Sequence, residues 1–353
     1  MPRSPPGSAD LLRTAKRAGR RQPATRSTTQ VWRPKTPLKK HDQTLAAAKP
    51  ALTVPAMRTY HLTWATAGRQ PAFPAEAVRR AVLRAIAEVA GAFVVLFAIV
   101  DDHVHIIIVV EPDKLWVVQR ALTMVLGNRS AVPLAPCFVK PVETRKHSEH
   151  LVKYCLTQNQ HHGVGGHAAT DTGSCFLDLV GARRIPKLNM PILRALPRFR
   201  LREVYAHVGL PQVELAPGDD GMIRALGMVR FAELAAEALC VGPGLGGNRA
   251  EVANARAVIA VIGAAAGFRA DDIGHALGVV PAAARRLIAR AVDAADVRAV
   301  RMRVALDVAV RQIPEVGSVD FDALLLGEGP VAMYDGVAER RGRPALDDAP
   351  AYM

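Results

Sequence analysis

The chain has 353 residues, half of them hydrophobic, and a formal net charge of +14. That length is sufficient for two domains with substantial cores. Residues 1–57 carry 12 Lys/Arg against 2 Asp/Glu and residues 58–205 carry 19 against 11, whereas residues 206–353 carry 15 against 19. This distribution favours a polyanion, such as nucleic acid, as the partner of the first two thirds of the chain.

Two classes of protein are disfavoured by the composition. The four cysteines show no C-x-x-C spacing, which argues against a zinc ribbon and a disulfide framework and is typical of a reducing cytoplasm. Apolar runs stay below the ~18 residues of a spanning helix, and the basic N-terminus is not followed by the apolar core of a secretory signal. We therefore expect a cytoplasmic protein that does not associate with membranes.

The N-terminal half alternates between strand and helix patterns. Residues 1–56 are rich in Pro, Arg, Lys, Ser and Thr, which predicts a disordered basic arm, unless translation begins at Met57. The predicted elements that follow are strand 60–66, helix 74–90, strands 93–100 and 103–110, helix 114–126, strand 138–142 and helix 148–162, with Ser148 as its N-cap. This order indicates a small α+β sandwich with helices packed on an antiparallel sheet.

Two histidines stand in the most strongly β-forming run, Val100–Val110. His103 and His105 are separated by one residue, so they project from the same face of a strand while Val104 points the other way. Two imidazoles on one face form half of a metal site. The alternative is a pair of histidines on a partly wetted strand face.

A helical ridge follows about 50 residues later. His150, Tyr154 and Gln158 recur at four-residue spacing beside an apolar stripe, so they lie on one side of the predicted helix. A tyrosine in this position commonly extends its hydroxyl from the core to solvent. The arginine-rich stretch that comes next includes Arg183, Arg184 and Lys187, and is either a solvated surface or a surface that tracks a nucleic-acid strand.

The C-terminal third is Ala-rich and helical. Two short helices, 270–278 and 281–292, carry Gly274 and Gly278 at the spacing that a helix-turn-helix requires, and the second helix carries Arg285, Arg286 and Arg290. These three arginines are candidates for contact with a DNA groove. The alternative is an ordinary αα-hairpin.

Together these motifs resemble the single-tyrosine HUH transposases, especially the REP-associated tyrosine transposases. The resemblance rests on His103-Val104-His105, on Tyr154-x-x-x-Gln158, and on the segments Tyr60-His-Leu-Thr-Trp64, Gln160-His-His-Gly163 and Phe176-Leu-Asp-Leu-Val-Gly-Ala-Arg183. The later helix-turn-helix resembles the DnaA type. One departure is Asp101-Asp102, where the family commonly has Pro-Asn before the first histidine.

The resemblance implies a fold, a site and a reaction. The fold is a ferredoxin-like/RRM-like HUH domain followed by an all-α helix-turn-helix domain. Tyr154 is the implied nucleophile, His150 is a candidate proton acceptor, and His103, His105 and Gln158 are the implied ligands of Mg²⁺ or Mn²⁺, although the ligand types also allow Zn²⁺. The implied reaction cleaves and transfers single-stranded, hairpin-bearing DNA through a 5′-phosphotyrosine.

The expected domains are a basic arm (1–56), the HUH domain (57–205), a helical linker region (206–248), the helix-turn-helix domain (249–312) and a poorly ordered tail (313–353). A homodimer or a monomer is expected from the resemblance. The alternative function is a sequence-specific DNA-binding regulator that carries an inactive HUH domain.

Overall fold

The computed structural model describes residues 56–162, 167–188, 200–210 and 215–313. Within these ranges the chain forms a four-stranded antiparallel sheet and eleven α-helices, which confirms the α+β prediction. The predicted basic arm and C-terminal tail lie outside the described residues, except for residues 56 and 313. None of the described helices is long and apolar enough to cross a bilayer.

The four strands and the first three helices lie close to their predicted positions, whereas the short fourth helix was not predicted. In chain order they are β1 (Arg58–Ala65), α1 (Glu76–Ala90), β2 (Val94–Ile99), β3 (His103–Val110), α2 (Leu115–Gly127), β4 (Phe138–Pro141), α3 (Arg145–His161) and α4 (Phe176–Leu179). The predicted start of α3 at Ser148 is wrong. The helix begins three residues earlier because Thr144 Oγ1 accepts a hydrogen bond from the His147 amide at 3.1 Å and so caps the first turn.

The strand order in the sheet is β2-β3-β1-β4, with β1 antiparallel to both β3 and β4. Because strand side chains alternate between the faces, β1 directs His61 and Thr63 to one face and Leu62 and Trp64 to the other. The second face is the apolar one, and helix α2 covers it: Trp64 Nε1 donates to Thr123 Oγ1 of α2 at 3.0 Å. Helix α3 packs on the first face against β2. The face that carries His61 and Thr63 therefore lies beside α3.

The edge strand β2 is buried along its whole length. The amide of Ile99 donates to the carbonyl of Gly173 at 2.9 Å, and Ala98 forms an isolated bridge with Ser174. This segment covers the backbone groups that an edge strand otherwise leaves open. The other edge, β4, has a mixed pattern of exposed and half-buried side chains.

Seven further helices follow, most of them around a second core. They are α5 (Leu201–His207), α6 (Asp220–Leu226), α7 (Met228–Ala238), α8 (Ala250–Ala265), α9 (Ala270–Leu277), α10 (Pro281–Ile288) and α11 (Ala294–Arg311). The second core is formed by buried side chains between Ile223 and Val304. Helix α10 ends at Ile288, four residues before the predicted end, and the next helix, capped by Asp293, begins at Ala294.

The turn between α9 and α10 has the two glycines that its geometry needs. Gly278 closes α9 with φ +63°, a left-handed conformation that favours glycine. A Cβ on Gly274 would lie 2.7 Å from the carbonyl oxygen of Val279, so the chain passes too close for any side chain there. The two glycines allow α9 and α10 to meet across a three-residue turn.

Helix α11 takes part in both cores. Met302 and Leu306 pack in the core of the sheet, whereas Val300 and Val304 pack in the helical core. All the described residues belong to one compact unit, Val54–Met353.

Candidate active site

His103 and His105 lie at the start of β3, both buried and both on the α3 face of the sheet. Their ring centroids are 4.7 Å apart in an edge-to-face arrangement. In the pairing with β1, His103 stands opposite Ala65 and His105 opposite Thr63. The two imidazoles are therefore neighbours on one face, as the alternation of side chains predicted.

Helix α3 brings the predicted tyrosine and glutamine onto this pair. Tyr154 Oη lies 3.3 Å from His105 Nε2, and Gln158 Nε2 lies 2.9 Å from His103 Nε2. Two residues of a strand advance by about 6.7 Å and four residues of a helix by about 6 Å, so the two spacings match. His103 and His105 can therefore contact Gln158 and Tyr154 at the same time, with the strand and the helix running in opposite directions.

The acid before the first histidine orients its ring. Asp102 Oδ1 hydrogen-bonds His103 Nδ1, and Arg69 Nη1 lies 3.3 Å from the other carboxylate oxygen. Burial opposes ionisation of Asp102, but the hydrogen bond and charge of His103 and the charge of Arg69 outweigh it and lower its pKa to about 2. With Nδ1 directed at the carboxylate, Nε2 is the ring nitrogen that faces Gln158.

The other acid, Asp101, has a structural position. Its carboxylate accepts from Arg79 Nη1 at 2.9 Å, and its carbonyl accepts from the amides of Ala72 at 2.6 Å and Phe73 at 2.8 Å. These contacts anchor the loop before α1. Asp101 thus anchors the loop before α1, and Asp102 orients the ring of His103.

A third histidine, His61 of β1, was not predicted. His61 Nε2 lies 3.0 Å from His105 Nδ1, and Thr63 Oγ1 lies 3.1 Å from the same nitrogen. Burial, with the charges of His147 and Lys140, lowers the pKa of His61 to about 4. Burial likewise holds the pKa of His105 well below its ordinary range, so both rings are neutral at pH 7. The alternation in Tyr60-His-Leu-Thr63 was the available signal, since it puts His61 and Thr63 on one face.

A fourth histidine stands at the end of α3. The ring centroid of His162 is 4.7 Å from that of His103, and His162 itself is exposed. The four-residue spacing that joins Tyr154 to Gln158 continues to His162, so the helical ridge could have indicated this residue as well. Its exposed position marks the solvent side of the site.

The predicted proton acceptor His150 is on α3 but exposed. The phenol hydroxyl of Tyr154 contacts His105. The role of His150 as a proton acceptor for Tyr154 therefore stays a prediction.

Arg183 is a correction to the predicted DNA surface. Its side chain is 1% exposed, forms an ion pair with Asp178 and donates to the carbonyls of Thr172 and Ser174, both at 2.7 Å. A guanidinium enclosed in this way cannot reach a DNA backbone. Its role in the structure is to tie the segment after α3 to α4.

The remaining predicted DNA-binding residues lie at the surface. Arg184 Nη2 is 2.7 Å from Asp293 and its Nε is 2.9 Å from Asp296, so this residue bridges to α11. Lys187 pairs with Glu88 at 2.5 Å and is 60% exposed. The three arginines of the helix-turn-helix prediction, Arg285, Arg286 and Arg290, are all exposed, with Arg290 just beyond the end of α10.

The residues present fit a divalent metal ion. Gln158 Oε1 is buried without a hydrogen-bond partner, and a half-turn of the amide brings this oxygen to the position of Nε2, beside His103. His103 and His105 are buried and each keeps one nitrogen directed at α3. Among the described residues no group of three or more His, Cys, Asp or Glu is placed to hold a metal. The set here has two imidazoles and an amide instead.

No family model, curated protein or solved structure matches the chain. The functional groups of the site itself therefore indicate the chemistry that it can support. A phenol hydroxyl, two buried neutral imidazoles, an amide oxygen and a carboxylate-supported histidine stand together at one end of the sheet. Such a set can present an oxygen nucleophile next to a centre that neutralises negative charge.

Proposed function

We propose that the chain is a metal-dependent, single-tyrosine HUH nuclease that cleaves and rejoins single-stranded DNA, as a transposase-like enzyme does. One observation carries the proposal: Tyr154 Oη lies 3.3 Å from His105 Nε2 while Gln158 contacts His103. The proposed nucleophile and the three proposed metal ligands therefore come from two distant segments of the chain and lie close together.

The arrangement of strands supports the same proposal. The order βαββαβ, with β3 between β1 and β2 and with β1 between β3 and β4, is that of a split βαβ, ferredoxin-like sheet. The histidine pair is on a central strand of this sheet. Helix α3, which follows the last strand, supplies the tyrosine.

His103, His105 and Gln158 would hold the metal ion, and nitrogen and oxygen ligands suit Mg²⁺ or Mn²⁺ in the proposed family. When bound, the ion neutralises charge on the scissile phosphate. Tyr154 Oη lies 3.3 Å from His105 Nε2, and His61 Nε2 and Thr63 Oγ1 both lie within hydrogen-bond distance of the other nitrogen of that ring. These contacts hold the hydroxyl next to the reacting position.

Tyr154 supplies the attacking oxygen. A bond forms between Oη and phosphorus as the bond from phosphorus to the 3′-oxygen breaks. The phenol proton passes to water, and the departing 3′-oxygen takes a proton from water. The products are a 5′-phosphotyrosine and a free 3′-hydroxyl, and attack by another 3′-hydroxyl reverses the step, so no ATP is required.

The basic character of the first two thirds of the chain suits a DNA substrate. In the proposed family the scissile link lies in an unpaired strand, and Tyr154 is only partly buried, so its hydroxyl is accessible to such a strand. We propose single-stranded DNA next to a hairpin as the substrate.

The test is the covalent adduct. Full-length protein is incubated with end-labelled, hairpin-bearing single-stranded DNA and Mn²⁺, and an SDS-resistant complex is sought. We expect the complex with the wild-type protein and with Tyr60→Phe, a buried tyrosine on the opposite face of the sheet, but not with Tyr154→Phe. An adduct that survives Tyr154→Phe rejects the assigned nucleophile.

A second candidate function rests on the surface of α10. Arg285 and Arg286 are exposed on the second helix of a two-helix turn, where they could enter a major groove of duplex DNA. The chain would then be a sequence-specific DNA-binding regulator with an inactive HUH domain. This alternative requires duplex binding that Arg285→Ala/Arg286→Ala abolishes, no adduct under any metal, and normal binding by Arg224→Ala, an exposed arginine of α6.

A further inference from the structure

An aromatic side chain stands on the same face of the sheet as the candidate active site. Thr63 pairs with His105 on one side and with Phe138 on the other, so the three residues form one row across β3, β1 and β4. Directly paired residues of antiparallel strands project to the same face. Phe138 therefore lies two strands from His105, at about 10 Å, given a strand spacing of about 4.8 Å.

Phe138 is exposed where a packed residue would be expected. The ring is 45% exposed, whereas its neighbours Cys137 and Val139 pack against the core of the sheet. Helix α3 contacts β2, at the other edge of this face. The aromatic ring is thus open to solvent beside His105 and Thr63.

Cationic side chains lie on both sides of this row. Lys140 pairs with His61 in the next row, and its charge lies close enough to contribute to the lowered pKa values of His61 and His147. At the opposite end, Arg69 follows β1 and reaches Asp102, with its side chain 53% exposed. The exposed ring therefore shares a row with His105 and lies two residues from Lys140 on the same face of β4.

We propose that Phe138 is a stacking platform for an unpaired base that flanks the scissile phosphate, and that Lys140 contacts the neighbouring backbone phosphate. The inference rests on the proposed function and adds a subsite to it. An aromatic face accepts any base by stacking, and a cation beside it neutralises the connecting phosphate. The subsite would thus favour single-stranded over duplex DNA without reading a sequence.

Size and charge favour a base over a protein partner. A stable protein interface buries about 800 Å² on each side, with several apolar anchors. Phe138 is instead one exposed ring next to Thr63, Lys140 and His61, a polar and basic surrounding. One ring with one adjacent cation is the pattern that a nucleotide fills.

The experiment measures binding of a labelled, hairpin-bearing single strand to the full-length protein by fluorescence anisotropy. Phe138→Leu keeps an apolar side chain but removes the π-face, and we expect its affinity to fall about tenfold. Phe138→Trp should bind within about twofold of wild type, since it restores the π-face. Trp116→Ala is the matched control, because Trp116 is 59% exposed on α2, behind the opposite face. It should bind as wild type.

Adduct formation at saturating DNA separates this inference from the proposed function. Phe138→Leu retains Tyr154, so it should still form the adduct when enough DNA is present. Wild-type affinity in Phe138→Leu, or equal losses in Trp116→Ala and Phe138→Leu, overturns the stacking platform even when the adduct forms. Absence of the adduct in the wild-type protein rejects the proposed function instead, and a selective loss in Phe138→Leu then still supports a single-strand subsite.

Discussion

Asp102 hydrogen-bonds the imidazole of the residue that follows it, His103, through Nδ1. The carboxylate thereby fixes which nitrogen carries the proton and leaves Nε2 directed at Gln158. Asp101, its neighbour in sequence, pairs with Arg79 and has no such contact with His103 in the described structure. Two adjacent acids of the same type therefore provide a natural pair of variants.

The first prediction concerns metal affinity. We expect Asp102→Ala to weaken Mn²⁺ binding by about 10- to 100-fold, because loss of a partner that orients a ligating histidine typically has this effect. Asp102→Asn, which can still accept the hydrogen bond but lacks the charge, should weaken it less. Calorimetric titration of the full-length protein measures this directly, and Asp101→Asn is the control. Equal affinity in Asp102→Ala and wild type would show that the carboxylate does not support a metal ligand.

The second prediction concerns stability against pH. The pKa of His61 is about 4 in the folded protein and near 6.5 when unfolded, so unfolding takes up a proton between these values. The contribution of neutral His61 to the free energy of unfolding is complete above pH 6.5 and falls as pH decreases towards 4, by about 3 kcal/mol in all.

Urea denaturation at pH 7.5, 6 and 5 tests this dependence. His61→Gln cannot titrate in this range, so its free energy of unfolding should fall less steeply than that of wild type. A residual slope is expected, since His105 is also held neutral by burial. Parallel slopes for the two proteins would contradict a buried neutral His61.

The third prediction separates stability from DNA binding at Arg183. Removing one member of a buried ion pair leaves the other charge without compensation, which costs about 3–5 kcal/mol. Arg183→Met and Asp178→Asn should each lower the unfolding free energy by amounts of this order, and their combination should cost less than the sum. Arg184→Ala, whose side chain is 44% exposed, should change it by less than about 1 kcal/mol. A stable Arg183→Met protein with weakened DNA binding would restore the surface interpretation.

The fourth prediction addresses the α9–α10 turn. Gly274→Ala places a methyl group 2.7 Å from the Val279 carbonyl oxygen, so one of the two helices must move. We expect a loss of about 1–3 kcal/mol in unfolding free energy, typical of overpacking. Gly242→Ala is the control, because a methyl group there meets nothing within 4 Å. Thermal unfolding of both variants checks the difference, and an unchanged Gly274→Ala midpoint contradicts the close approach of the helices.

Local periodicity was sufficient to predict much of the candidate site. The two-residue alternation of a strand put His103 and His105 on one face, and the four-residue repeat of a helix put Tyr154 and Gln158 on one ridge. Neither rule states that the strand and the ridge meet. That expectation came from the resemblance to a family, and the 3.3 Å and 2.9 Å contacts provide it independently.

The features that were missed depend on pairing between distant segments. His61 reaches His105 only because β1 lies beside β3, a relation that no local pattern contains. Arg183 stands in an arginine-rich stretch that resembles a surface, yet Asp178 and two carbonyl groups enclose it. Exposure of Phe138 likewise follows from the position of β4 at the edge of the sheet.

Helix α11 packs in the sheet core through Met302 and Leu306 and in the helical core through Val300 and Val304. Within the described residues, a helix shared in this way connects the two cores through its own packing. A duplex bound at α10 and a single strand bound on the sheet would consequently be held at a constant separation. The protein would then require a fixed length of DNA between the hairpin and the cleavage point. Nucleotides inserted between these two positions would reduce cleavage.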